Sequence, residues 1–494
     1  MTGKNVLVID IGTGQCRAIV FNEQGGILAM EGKEWNFKPE PLHGGDAYSF
    51  CPEETFELVI RLIKKLLTEH IKLAETIGAV SVTSQREGMV YTDSDGKELY
   101  AAPNIDNRGE AVLHLLEPKR GKIEQITGMP LLGLFGLARL VWHKTNAGSL
   151  FEKIHKVMMI SDWMIYRLGG EFATEPSVAG SSQMYDVKNN CFSKELMEDY
   201  GIPEAIFPKV LVAGTPLGGI SEEVAGRTGL LAGTPLVSGG ADTQAAAIGI
   251  GLRQGELAAI AGTTTPVVAL WDGRSQPGNG VCIDCHVLKG TYLLEENALS
   301  TGLSLRWIKD LLYAGGDYAQ AQEEAAGIVP GAGGLQIYMG SQISDADYGQ
   351  GQGGFLFPVL GDMSRFTRAH FYRAALECNA FSIKANTVFL CRLLPQQGRK
   401  HILRICGGQS KSPLFNQILA DCMNCEVVTC REKESTALGA AVIAAVTLGL
   451  YEDIPAAVGH MVHEEQVYQP NTEAVKAYQE IYQEWMFKHK MINQ

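Results

Sequence analysis

Three short loops carry the residue types that phosphate chemistry needs. The first is Asp10-Ile11-Gly12-Thr13-Gly14, where a carboxylate ends an apolar run and is followed by glycines and a threonine hydroxyl. Backbone N–H groups at such glycines can meet oxyanions, and Asp10 can hold a divalent metal or one of its waters. The same letters also make an ordinary hairpin turn. The second loop, Gly262-Thr263-Thr264, repeats the chemistry. The third runs from Cys406 through Gly407, Gly408 and Ser412 to Pro413. Ser412 suits an N-cap and Pro413 a first helical position, so the glycine pair precedes a helix N-terminus, a natural anion site. Three loops of this kind are harder to assign to turn chemistry than one.

Two further groups could act on an acceptor. Asp242 follows Gly239-Gly240 at the start of a short helical stretch, where the dipole favours an ionised carboxylate. An aspartate is also a common helix start. Gln85-Arg86-Glu87-Gly88 lies where a strand ends, the side on which open α/β sheets bind ligands. Adjacent Arg86 and Glu87 could bracket vicinal hydroxyls, one donating and one accepting. A surface ion pair explains the same letters equally well.

Some motifs fail their context. Gly349 to Gly354 spells GxGxxG but leads into Phe355-Leu356-Phe357-Pro358 rather than a helix, so a dinucleotide fold is not implied. Cys282-Ile283-Asp284-Cys285-His286 spells a haem-attachment motif, yet His286 opens a strand and no export signal precedes it. Cys422, Cys425 and Cys430 make at most a partial zinc site. The chain has no Walker A loop, HRD segment, HExxH or GxSxG.

The elements that must position these residues alternate. Strands are predicted over 5–10, 17–22, 27–35 and 77–83, with a helix over 53–70 whose apolar residues recur at 56, 59, 60, 63, 66 and 67. A second strand, glycine-threonine turn, strand pattern over 256–270 echoes the first over 5–22. The fold class is therefore α/β, with two related halves divided into residues 1–248 and 249–494.

Composition narrows the partners. The 494 residues hold 42 basic and 55 acidic side chains, a net charge of −13, without a long basic stripe. That balance argues against nucleic acid and anionic membranes. The longest apolar candidate, Ala437 to Leu450, is shorter than the ~18 residues of a membrane helix. The opening lacks a signal-peptide layout and the 11 cysteines are odd in number, which predicts a cytoplasmic protein with reduced thiols. The 56 glycines form no repeat or linker run, so backbone freedom is used locally. A homo-oligomer such as a dimer stays open.

In combination and order these stretches resemble the FGGY family of carbohydrate kinases, nearly end to end. The resemblance is carried by Asp10 to Thr13, Gln85 to Gly88, Ser161-Asp162-Trp163 and Gly239 to Asp242. It continues through Gly262 to Thr264, Gly407 to Ser412 and Glu434 to Ala441. It implies two actin-like (RNase H-like) domains, the first on the substrate side and the second on the nucleotide side, with ATP–Mg²⁺ and substrate in the cleft. By the same resemblance Asp242 matches the catalytic base and Asp10 the carboxylate near the metal. Gly12, Thr13, Gly262, Thr263 and Thr264 match the phosphate loops. Gly407 and Gly408 match the loop under the α-phosphate and adenosine, with Ser412 close to the adenine. Arg86 and Glu87 match a substrate-hydroxyl pair, with Thr243 beside Asp242 on the same side. Leu134 stands where glycerol kinases carry a tyrosine that contacts glycerol. The segments 85–90, 104–108 and 159–163 look most like the autoinducer-2 kinase branch. The implied activity is transfer of the ATP γ-phosphoryl group to a hydroxyl of a small sugar, ketose, polyol or dihydroxy-pentanedione. An actin-like ATPase switch without a small-molecule acceptor is the competing reading.

Overall fold

The computed structural model describes residues 4–41, 46–273, 281–339, 343, 352–358, 364–394 and 401–492. The chain forms two compact units. The first comprises Met1–Gly251, Asp272–Leu293 and Glu434–Val462, and the second comprises Leu252–Trp271, Leu294–Lys433 and His463–Gln494. The chain thus re-enters the first unit twice after residue 251.

The first unit is built on six strands: β1 (Asn5–Ile11), β2 (Gln15–Phe21), β3 (Ile27–Glu34), β4 (Ile77–Ser84), β5 (Pro216–Gly219) and β6 (Pro235–Ala241). They lie in the order β5-β6-β4-β1-β2-β3. β1 runs antiparallel to β2 and parallel to β4, and β4 is parallel to β6. These inner strands are near-continuous apolar runs because both sheet faces are covered.

On one face lies the helix Pro52–Glu69, with proline in its first turn, Glu53 and Glu54 at its positive end, and Phe56, Val59, Ile60, Ile63, Leu66 and Leu67 buried. On the other face, the helix Ser435–Thr447 packs among Val6, Val8 and Val237. It crosses the helix Asp242–Gly249 at near backbone contact. A Cβ on Gly439 would sit 1.8 Å from the Ala245 carbonyl oxygen, and one on Gly249 would sit 1.9 Å from that of Ser435. The apolar stretch 437–450 is therefore mostly a buried core helix. No helix among the described residues is long and apolar enough to cross a membrane.

The second unit holds five consecutive strands of its sheet: β7 (Leu257–Ile260), β8 (Pro266–Trp271), β9 (Ile402–Cys406), β10 (Glu426–Cys430) and β11 (Glu464–Tyr468). Their order is β8-β7-β9-β10-β11. β7 is antiparallel to β8 and parallel to β9, the same relationship that β1 bears to β2 and β4. A glycine-threonine loop joins the antiparallel pair in each unit, so the repeat read in the letters exists in the backbone. Gly353–Leu356 is a strand antiparallel to Gln336–Met339, while residues 349–351 of the GxGxxG spelling lie outside the described residues.

Candidate active site

In the first unit, the loop between β1 and β2 is closed by Gly12 N–H donating to the Gln15 carbonyl over 3.0 Å. Trp35 Nε1 donates to the Gly12 carbonyl at 2.9 Å. Thr13 Oγ1 accepts from Asn104 Nδ2 at 3.0 Å, and the Asn104 backbone donates to Gln85 Oε1 at 3.1 Å. Gln85 is anchored in turn by its N–H to the Ile11 carbonyl, 2.9 Å. Among the described residues, the N–H groups of Thr13 and Gly14 donate to no protein acceptor, and a Cβ on Gly14 would meet nothing within 4 Å. Two ready donors beside open space are what a phosphate oxygen needs.

Asp10 is the penultimate residue of β1, with its side chain only 2 % exposed. Its Oδ2 accepts from Arg17 Nη2 at 2.7 Å, and the other arm of Arg17 pairs with Glu434 at the start of the Ser435–Thr447 helix. Burial raises the Asp10 carboxyl above its ordinary value, Arg17 opposes that rise, and Glu434 adds to it. A single strand carboxylate already paired with Arg17 fits Mg²⁺ held through a water, since Mg²⁺ keeps several waters and binds phosphate oxygens. It does not suit an all-protein cage, and no cluster of three or more metal-ligating side chains occurs among the described residues.

The candidate acceptor-side groups sit at the ends of β4 and β6. β6 is irregular in register between Ser238 and Ala241. Gly240 takes φ +79° and its carbonyl accepts from Thr83 Oγ1 at 2.8 Å, while Ala241 N–H donates to Ser177 Oγ at 3.1 Å. This kink ends the strand and delivers Asp242 as the first helical residue, its side chain 33 % exposed. The Thr243 N–H donates to Asp242 Oδ1 at 2.8 Å.

Arg86 and Glu87 follow β4, with Glu87 in the left-handed region at φ 61°. The buried Arg139 holds this turn, donating to the carbonyls of Glu87 (2.9 Å) and Pro103 (3.0 Å). Arg86 Nε lies 3.7 Å from Glu87 Oε1 and 3.8 Å from Asp242 Oδ1. The structure thus brings together Arg86, Glu87, Asp242 and Thr243. It adds residues to which the letters gave no role there: Asn104, Arg139 and Asp284, whose carboxylate accepts from Arg86 Nη1 at 2.8 Å.

In the second unit, the Thr263 carbonyl accepts from the N–H groups of Gly302 and Leu303 at the start of the helix Thr301–Leu312. The Thr263 and Thr264 N–H groups find no protein acceptor among the described residues. Gly407 takes φ +84°, and its Cβ would lie 2.5 Å from the Ala261 carbonyl oxygen. Gly408 opens onto space, with nothing within 4 Å of such a Cβ.

Ser412 caps the helix Pro413–Met423, accepting from the Phe415 N–H at 3.1 Å. Gln409 Nε2 donates to Thr301 Oγ1 at 2.9 Å and to Thr265 Oγ1 at 3.4 Å, tying the Gly407–Ser412 loop to the Gly262–Thr265 loop, and Asn379 Nδ2 donates to Gln409 Oε1 at 2.9 Å. Gln409 lay within the motif, but Asn379 carried no local signal.

Cys422, Cys425 and Cys430 are buried, which raises all three thiols, Cys425 to about 12 and Cys430 to about 11.

Comparison with known proteins agrees across the chain. Residues 5–249 match the N-terminal domain of the FGGY family of carbohydrate kinases, and residues 257–448 match its C-terminal domain. A Bacillus subtilis protein named as a sugar kinase, YoaC, is 33% identical over 461 residues, covering 92% of each chain. The autoinducer-2 kinase of Salmonella paratyphi B is 31% identical over 511 residues, covering 98% of this chain and 94% of that one. The structure of a xylulose kinase from Lactobacillus acidophilus superposes with a TM-score of 0.86 at 22% identity, over 99% of this chain and 98% of that one, and shares the fold. This chain belongs to the FGGY family of carbohydrate kinases, which transfer phosphate from ATP to a sugar hydroxyl.

Proposed function

We propose that the acceptor is a small linear polyol or ketose, of the size of a pentulose or of the dihydroxy-pentanedione used by autoinducer-2 kinases, and that Asp242 is the base for its reacting hydroxyl. The observation that carries this reading is the grouping of Asp242 with Arg86 and Glu87 in the first unit, a partly exposed carboxylate beside a paired donor and acceptor. Arg86 donates to hydroxyl oxygens, Glu87 accepts hydroxyl protons, and the Asp242 carboxylate orients the hydroxyl that attacks. The relatives named as autoinducer-2 kinases support an acceptor of this size.

Phosphoryl transfer has a loose transition state, so positioning and charge neutralisation carry most of the catalysis. An aspartate of ordinary pKa near 4 is a weak base at neutral pH. It suffices when the proton leaves late, as the attacking oxygen bonds phosphorus and becomes acidic. Thr13 and Gly14 supply N–H groups to phosphate oxygens, as do Thr263 and Thr264 in the second unit. Gly407 and Gly408 let the backbone approach the α-phosphate and adenosine, with Ser412 close to the adenine. Mg²⁺ held through Asp10 and its waters would neutralise phosphate charge.

An ADP-release screen across pentuloses, polyols, glycerol and dihydroxy-pentanedione tests the reading. Stimulation by one of these acceptors is expected. ATP turnover that responds only to peptide or to self-assembly would overturn it in favour of an ATPase switch.

A further inference from the structure

The strand Cys282–Cys285 carries a carboxylate that the haem-like spelling around it conceals. This strand belongs to the first unit and is anchored there by Ile283 N–H donating to the Gly128 carbonyl at 2.8 Å and by Gln244 Nε2 donating to the Cys285 carbonyl at 3.3 Å. Gly128 fits against it only as glycine, since a Cβ there would lie 2.5 Å from the Ile283 carbonyl oxygen. Asp284 is thereby fixed with its side chain 1 % exposed, and its Oδ2 accepts from Arg86 Nη1 at 2.8 Å. Arg86 itself is 12 % exposed, and its Nε edge lies within 4 Å of both Glu87 and Asp242.

Burying an aspartate is costly unless a cation is held against it, and removing one member of a buried pair leaves an uncompensated charge. The pair therefore does two things to the acceptor site. It fixes the guanidinium so that its Nε edge stays beside Glu87 and Asp242. It also offsets the positive charge that would otherwise attract an anionic acceptor, and leaves two more carboxylates at that edge.

We propose that Asp284 is a positioning residue that sets the acceptor class: by clamping Arg86 it makes the site take an uncharged vicinal diol and turn away an acceptor carrying a carboxylate. This rests on the kinase reading with Arg86 and Glu87 as hydroxyl ligands.

The test compares wild type, Asp284→Asn and Asp284→Glu with matched acceptors: the neutral acceptor found by the ADP-release screen, and the aldonate of equal carbon count (ribonate for a pentulose or pentitol, glycerate for glycerol). Wild type should prefer the neutral acceptor. In Asp284→Asn the acceptor KM should rise about 10-fold with kcat changed less than about 3-fold, and the preference over the aldonate should fall about 10-fold or more. ATP affinity should stay at the wild-type value, which also reports an intact fold. Asp284→Glu, which keeps the charge, should retain most of the discrimination and serves alone should the Asn variant fail to fold.

Unchanged acceptor KM and unchanged discrimination in an ATP-binding Asp284→Asn variant would overturn the inference while leaving the kinase reading in place. So would loss of discrimination in a folded Asp284→Glu. A wild-type chain that turns over none of the acceptors overturns both.

Discussion

Arg17 Nη2 donates to Asp10 Oδ2 across 2.7 Å while the other arm of the guanidinium reaches Glu434, 417 residues beyond Arg17, so one side chain joins β1 to the start of a helix far along the chain. The Asp10 side chain is only 2 % exposed, and its charge depends on this pair. Arg17→Ala should lower the stability of the first unit by about 2–4 kcal/mol, toward the lower end of breaking a buried pair because part of Arg17 is solvated. Without Arg17 the Asp10 carboxyl rises further, and a proton held by the folded state and not by the unfolded one makes stability fall as pH rises. The deficit measured by urea unfolding should therefore be larger at pH 8 than at pH 5. An equal deficit at both would contradict this account of the pair.

The crossing of the helices Asp242–Gly249 and Ser435–Thr447 leaves no room for one methyl group. Gly439→Ala places a Cβ against the Ala245 backbone, which must move by more than an ångström. Overpacking of this kind costs about 1–3 kcal/mol. Since the displaced helix begins at Asp242, kcat should fall together with thermal stability. Loss of stability with unchanged kcat would separate the packing from the site.

Adjacent glycines in the second unit should answer differently to the same change. Gly407→Ala adds a side chain at φ +84° and against the Ala261 carbonyl, so the fold is strained by about 1–2 kcal/mol from the dihedral alone. Gly408→Ala adds a methyl group to open space and should leave unfolding midpoints unchanged. If nucleotide lies over this loop, Gly408→Ala weakens ATP binding about 10-fold, roughly 1.4 kcal/mol, in a fully stable protein. Calorimetric titration with wild-type affinity would remove Gly408 from the nucleotide site.

Asp162, inside the motif Ser161-Asp162-Trp163, is buried, its carboxyl oxygens have no hydrogen-bond partner among the described residues, and desolvation raises its carboxyl well above the usual 3.8, with the nearby Glu175 adding to the rise. The folded state keeps this proton after the unfolded chain has lost it. Stability therefore falls by about 1.4 kcal/mol per pH unit from near the unfolded value upward until the folded carboxyl ionises. Asp162→Asn, an amide in place of a neutral acid, removes that slope. Urea midpoints of wild type and variant should diverge between pH 5 and pH 8 with the variant gaining, and parallel curves would contradict a protonated Asp162.

Much of the architecture was legible because local rules and burial agree. The helix Pro52–Glu69 announced itself by its apolar period and its proline, and Ser412-Pro413 marked a helix start to the residue. The glycine-threonine loops were visible because each sits between two apolar runs that pair as antiparallel strands. Long-range pairing was not legible. Nothing near Arg17 in the letters indicates Glu434, and nothing around Cys282-Ile283-Asp284-Cys285 indicates Arg86, since segments far apart in the chain must first be brought together by the fold. The apolar stretch 437–450 read as a bare hydrophobic run. Its meaning, a helix packed on the first unit's sheet beside the Asp242 helix, lies in Gly439 and Gly249, whose missing side chains permit the crossing.

The central claim is that Asp242 handles the acceptor proton while other groups bind the nucleotide. Steady-state kinetics of Asp242→Asn at saturating acceptor and ATP, with ATP affinity measured in parallel, test it most directly. The account predicts a fall in kcat of about 100–10,000-fold with nucleotide affinity essentially unchanged. Near-normal turnover in the variant would contradict it.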